Sequence, residues 1–231
     1  MKQSDDQNRF QIIRKDAHSC FVESKNDSFS IGKAHLEFMV YDLKKPAGSR
    51  QTNHVHIYID MAEFLCLVEE ALSGNLHNRM QRVKALMTEL ERIPDAEKQK
   101  LANAPLYESL GGTPADRLKQ PRPDGKSLSR SVKLFVGKKV EYLLCAESGP
   151  GRTDVKGLIV PEYGGKPEQK VSVALTWRNL TQLLLMTKIH YTAWLSAQYA
   201  NSDSVAWQPY PERKENGTEI GNNNADDTQM F

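Results

Sequence analysis

The alternation of apolar and polar residues predicts an α+β fold: two repeats of a four-stranded antiparallel sheet followed by a helix (ββββα twice). An extra helix and a linker lie between the repeats, and a disordered tail closes the chain. Three observations carry this. Short alternating segments joined by polar loops recur in both halves, which favours antiparallel pairing. In each half an alternating strand runs straight into a capped amphipathic helix. The two occurrences are related by a constant offset of 116, which sets Ile57 with Val173, Ile59 with Leu175, Asp60 with Thr176, Met61 with Trp177 and Phe64 with Leu180.

In chain order, strands are expected over 10–15, 28–32, 35–42 and 53–59, then a helix over 61–73 begun by the N-cap Asp60 with Glu63 three residues on. Leu76, Met80, Val83, Met87 and Leu90 fall at helical spacing and predict a further helix. Between about 94 and 130, Pro94, Pro105, Pro114, Pro121 and Pro123 lie among Gly111, Gly112 and Gly125, and the segment reads as a linker. Strands follow over 131–136, 139–146, 154–161 and 169–175, then a helix from 177 to about 199 capped by Thr176. ESGPGRT and YGGKPEQ are read as connecting loops. Upstream of the capped helices, FSIGKAHLEFMV (29–40) matches LFVGKKVEYLL (134–144) if one residue is skipped after the Gly-Lys pair. The domain reading is a first repeat over 1–75, helix and linker over 76–130, a second repeat over 131–200 and an acidic tail over 201–231.

Composition narrows the function classes. The chain has 231 residues, enough to bury a core without disulfide staples. No apolar run reaches the roughly 18 residues of a membrane span. Cys20, Cys66 and Cys145 are few and far apart, and the first residues carry no apolar leader, so a cytoplasmic, nucleoid-associated protein is expected. The overall charge of +2 divides into −4 over residues 201–231 and +6 over the rest, a balance that points toward a polyanion.

The stretch GLIVPEYGGKPEQKVSVALTWRNLTQLL (157–184) resembles the close of the single-stranded-DNA-binding domain of the eukaryotic positive transcription coactivator, and the duplicated arrangement is similar to the Whirly proteins and to Pur-type repeats. The resemblance implies single-stranded nucleic acid, DNA or RNA, lying across the outer sheet faces, with domains paired through their helices as in a dimer. The ending NNNADDTQMF resembles the acidic tip of bacterial single-stranded-DNA-binding proteins of the oligonucleotide-binding-fold type. That likeness implies that Asp226, Asp227, Met230 and Phe231 recruit replication or recombination proteins.

Binding unpaired strands needs cations along the phosphates and aromatic faces for the bases. By strand parity Val55, Ile57 and Ile59 point inward, so His54, His56 and Tyr58 point outward; Lys133 and Phe135 lie outward in the second half, as does Lys170. Lys33 and Lys138 of the Gly-Lys pairs belong to the same set, and loops add Lys44, Lys45, Arg50, Arg152, Lys156, Tyr163 and Lys166. The expected protein is non-catalytic, without cofactor or metal. Three other readings stand beside it, one of them an interaction scaffold with no salt-dependent affinity for nucleic acid. Another is a regulator bound to duplex promoter DNA. The third is a nickase in which His54 and His56 hold a divalent metal and Tyr191 or Tyr199 is the nucleophile.

Overall fold

A computed structural model describes residues 10–46 and 48–201. It is an α+β protein with two antiparallel sheets, of four and five strands, and four α-helices. The first sheet runs β1 (Gln11–Ala17), β2 (Cys20–Lys25), β3 (Lys33–Tyr41), β4 (Gln51–Asp60), each strand pairing with the next. Helices α1 (Met61–Leu72), α2 (Asn75–Leu90) and α3 (Ala96–Asn103) follow. The second sheet holds β5 (Tyr107–Thr113), β6 (Ser127–Val136), β7 (Tyr142–Thr153), β8 (Ile159–Pro161) and β9 (Gln169–Leu175), the last paired with β7, and the chain continues into α4 (Trp177–Asn201).

The turns into the helices form as their side chains dictate. Asp60 accepts a hydrogen bond from the Ala62 backbone N–H at 3.1 Å, and Thr176 Oγ1 accepts one from Asn179 at 3.2 Å. Glu141 adds a carboxylate at the positive end of α4, accepting from the Trp177 N–H at 2.5 Å. Gly74, at φ +79°, occupies the left-handed region that separates α1 from α2.

Three expectations need correction. The strand read over 28–32 is a single 3-10 turn, Phe29–Ile31, with Phe29 buried and Gly32 left-handed at its end. The strand that replaces it is β2, whose core-facing side carries Ser24 and whose outer side carries Phe21, so its apolar residues do not alternate cleanly. The 94–130 segment is no plain linker: it supplies α3 and the edge strand β5, and Arg122 ties its last turn to Asp124 and Glu168. ESGPGRT is not a loop but the second half of the long strand β7. Its glycines serve close packing, since a Cβ on Gly149 would lie 2.9 Å from the Tyr163 ring and one on Gly151 would meet Ser129 and Ile159.

One continuous core joins the two sheets. Val22, Leu36, Phe38, Val55 and Ile57 from the first, Val132, Leu134, Leu144 and Val173 from the second, Phe64 and Val68 of α1 and Leu180, Leu183 and Leu184 of α4 belong to a single cluster. Polar contacts sew the halves together. Asn53 Nδ2 donates to the Lys170 carbonyl at 3.0 Å, and the fully buried hydroxyls of Ser24 and Thr187 share a 2.7 Å hydrogen bond between β2 and α4. No described helix is long and apolar enough to cross a membrane.

The Ser24–Thr187 pair gives a test of this docking. Thr187→Val strands the Ser24 hydroxyl without a partner, at a cost of about 1 to 3 kcal/mol. Adding Ser24→Ala removes the orphan, so the double variant is expected to be more stable than Thr187→Val alone in urea unfolding. Strict additivity of the two substitutions would show that the hydroxyls do not meet.

Candidate functional site

Helices α1 and α4 cover the face of the first sheet that carries Val22, Ser24, Leu36 and Ile57. Period-two alternation sends the intervening side chains to the other face, where register lines them up in rows. Lys25 lies beside His35 and Tyr58, Glu23 beside Glu37 and His56, and Phe21 beside Met39 and His54. His54, His56 and Tyr58 therefore do lie on the helix-free face, and β3 adds His35 and Glu37, which the sequence reading did not single out. The available signal was parity: His35 and Glu37 alternate with Ala34, Leu36 and Phe38 just as His56 and Tyr58 alternate with Val55, Ile57 and Ile59.

These polar groups satisfy one another. His35, only 2% exposed, places Nδ1 2.7 Å from Asp27 Oδ1 and Nε2 2.9 Å from His56 Nδ1. The tautomers that satisfy both contacts put one proton on His35 Nδ1, donated to the carboxylate, and one on His56 Nδ1, donated to the lone pair of His35 Nε2. Glu37 accepts from Lys25 Nζ at 2.5 Å on one oxygen and meets His54 Nε2 at 2.5 Å on the other. Burial opposes ionisation of Glu37, but the bonds from His54 and Lys25 win and hold its carboxyl well below the usual range. Burial lowers His35, and burial with the neighbouring His54 lowers His56 to about 4, so both rings are neutral at pH 7. One ligand-type atom from each of His35, Glu37 and His56 lies within 4.8 Å of the other two.

Tyr58 closes this row and opens a second feature. Its ring stacks on His35 with centroids 4.4 Å apart and planes 20° apart, while the residue remains 43% exposed. It lines a cavity of about 870 Å³ where the β4 edge of the first sheet meets β5, β6 and the β7–β8 turn of the second. The cavity wall also carries Lys33, Arg117, Lys119 and Arg130. Lys33 pairs with Asp60 at 3.2 Å, whereas Arg117, Lys119 and Arg130 form no ion pair among the described residues. Arg130 donates to Thr113 Oγ1 at 2.7 Å, and burial lowers its pKa, but a guanidinium stays charged. The three cations were missed because their segment read as linker up to residue 130.

The remaining candidates scatter. Lys44, Lys45 and Arg50 are exposed on the β3–β4 hairpin, at the opposite end of β4 from Tyr58, about 26 Å away along the strand. Lys133 is matched to Glu108 at 3.1 Å and Lys170 to Glu147 at 2.7 Å, so the outer face of the second sheet is less cationic than its lysines suggest. Phe135 is half-buried there, and the half-buried Tyr163 ring rests against Gly149 with its hydroxyl buried. Lys138, Arg152, Lys156 and Lys166 are exposed, Lys156 next to Gly157 of the cavity wall. Asp226, Asp227, Met230 and Phe231 lie outside the described residues. Tyr191 is buried against Phe29 and Trp194 in the core, on the side of the sheet away from the histidines, and Tyr199 sits near the end of α4. The histidine pair of the nickase reading is thus present without Tyr191 facing it.

Compared with known proteins, the chain matches no family model, no curated protein and no solved structure.

Proposed function

We propose that the chain binds single-stranded nucleic acid without making or breaking bonds, and that the strand enters the cavity at the junction of the two sheets. The observation that carries this is the cavity wall: an exposed aromatic ring, Tyr58, beside three cations that no described carboxylate neutralises. Phosphates require mobile counterions to be replaced by fixed positive charge, and bases require a flat apolar face, and this wall offers both within one concavity. Asp60 and Glu63 also line it, but Asp60 is paired with Lys33 and Glu63 accepts from Tyr107 and Ser109, so their charge is partly spent inside the fold.

The same proposal takes β1 to β4 with α1, and β6 to β9 with α4, as tandem copies of one module similar to the coactivator domain. The 116-residue offset supports it where β4 enters α1 and β9 enters α4: Ile57 and Val173, Ile59 and Leu175, and Phe64 and Leu180 are all buried. In this reading the acidic tail serves two roles. It recruits replication or recombination proteins, and when no strand is bound it competes for the cationic wall.

Anisotropy titration with an oligo-dT at two salt concentrations tests the site. Wild type is expected to lose affinity steeply as salt rises. Arg117→Ala with Lys119→Ala should shallow the log–log slope by roughly 1.4, about 0.7 per lost phosphate contact. Tyr58→Ala should weaken binding by about 1 to 3 kcal/mol. A larger slope change for Lys44→Ala with Lys45→Ala would move the site to the hairpin, a preference for duplex would favour the regulator, and no salt-dependent affinity would end the proposal. Deleting residues 222–231 removes Asp226 and Asp227 and should tighten binding at low salt; an unchanged affinity refutes competition by the tail.

A further inference from the structure

We propose that His35, Glu37 and His56 form a binding site for one divalent transition-metal ion on the helix-free face of the first sheet. This assignment stands apart from the nucleic-acid reading and holds or fails without it. Its basis is geometric. The three residues come from two adjacent strands, and each presents a ligand atom within 4.8 Å of the others. His35 Nε2 and His56 Nδ1 are 2.9 Å apart. Two imidazoles bound to one ion at about 2.1 Å each would stand about 3.0 Å apart at a right angle and about 3.4 Å apart at the tetrahedral angle. The existing N···N spacing is close to that of two imidazoles on one ion, which would replace the hydrogen bond the two rings now share.

The groups behind the ligands are those a metal site needs. The Asp27 carboxylate at 2.7 Å fixes a proton on His35 Nδ1 and so directs the Nε2 lone pair toward His56. Lys25 and His54 each take one oxygen of Glu37, which leaves further lone pairs on both oxygens and fixes the carboxylate plane. Binding asks His56 to move its proton from Nδ1 to Nε2, so that each ring keeps one N–H and turns one lone pair to the ion. Two imidazoles and one carboxylate favour zinc, iron or cobalt over magnesium or calcium. Three protein ligands leave at least one position for water or a ligand atom, and His54 at 28% side-chain exposure and Tyr58 form the rim through which it would arrive.

The test uses the full chain, stripped with a chelator and dialysed against Zn²⁺ or Co²⁺, with bound metal counted by mass spectrometry. One equivalent is expected, with a d–d absorption of the Co²⁺ form showing nitrogen and oxygen ligation. His56→Gln, at a partly exposed position, should weaken Zn²⁺ binding at least tenfold while circular dichroism stays unchanged. Glu37→Gln should also weaken it, and His190→Gln, an exposed histidine on α4, should not. Substoichiometric uptake, or one equivalent retained by folded His56→Gln, overturns the site. A loss in His190→Gln equal to that in His56→Gln does the same.

Discussion

The first sheet has one side to give to its core, and everything proposed for this protein follows from what that leaves on the other. Once Val22, Leu36, Phe38, Val55, Ile57 and Ile59 are committed to α1 and α4, alternation compels Glu23, Lys25, His35, Glu37, His54, His56 and Tyr58 onto one surface that no helix covers. A surface so crowded with long polar side chains buries itself. Glu23, His35 and Glu37 are under 9% exposed although no described helix lies over them. A buried polar group must find a partner, and these find one another, which is why a carboxylate and two imidazoles end up sharing bonds across adjacent strands.

That network is electrostatically consistent within itself. Glu37 is the charge that the others organise around: Lys25 neutralises it, His54 bonds its other oxygen, and Lys25 is in turn held protonated by Glu37 against the cost of its own burial. Glu23, next to Glu37 and itself buried, shifts the other way, because burial and a neighbouring negative charge both disfavour ionisation. The second sheet does something different with its outer face. There Lys133 and Lys170 meet acidic neighbours one strand over, so the charge is spent in cross-strand pairs. Free positive charge collects instead on the segments after β5 and on β6, which converge on the β4 edge.

What the sequence made legible was whatever rested on period and caps. The run VHIYID into MAEFLCLV declares its strand, its cap and its buried face without outside help, and so does VSVALT into WRNL. Segments whose roles depend on a partner did not declare themselves. Cys20–Lys25 mixes Phe21 outward with Ser24 inward, and Ser24 makes sense only once Thr187, 163 residues later, is seen to bond it. Gly149 and Gly151 read as a turn, since local sequence cannot show that Tyr163 and Ser129 need the space a Cβ would take. The functional residues divide the same way. Tyr58 and His56 were visible by parity, whereas Arg117, Lys119 and Arg130 acquire meaning from the closure of one sheet against the edge of the other, a long-range event with no local signature.

Tyr58 is where the two features become one structure. Its ring lies flat on His35, and His35 is fixed by Asp27 on one side and His56 on the other. An exposed tyrosine ordinarily samples its rotamers freely and loses that freedom when a ligand stacks on it, at a cost of roughly 0.5 to 1.5 kcal/mol for an immobilised side chain. Here the stack on a buried imidazole has already fixed the ring plane, so the aromatic wall of the cavity is set before any ligand arrives. The buried hydrogen-bond network thereby does for the cavity what a second layer of packing does elsewhere: it turns an exposed side chain into a rigid surface. Because the orientation of His35 is what sets that surface, whatever occupies the space between His35 and His56 also sets the angle at which Tyr58 faces the cavity.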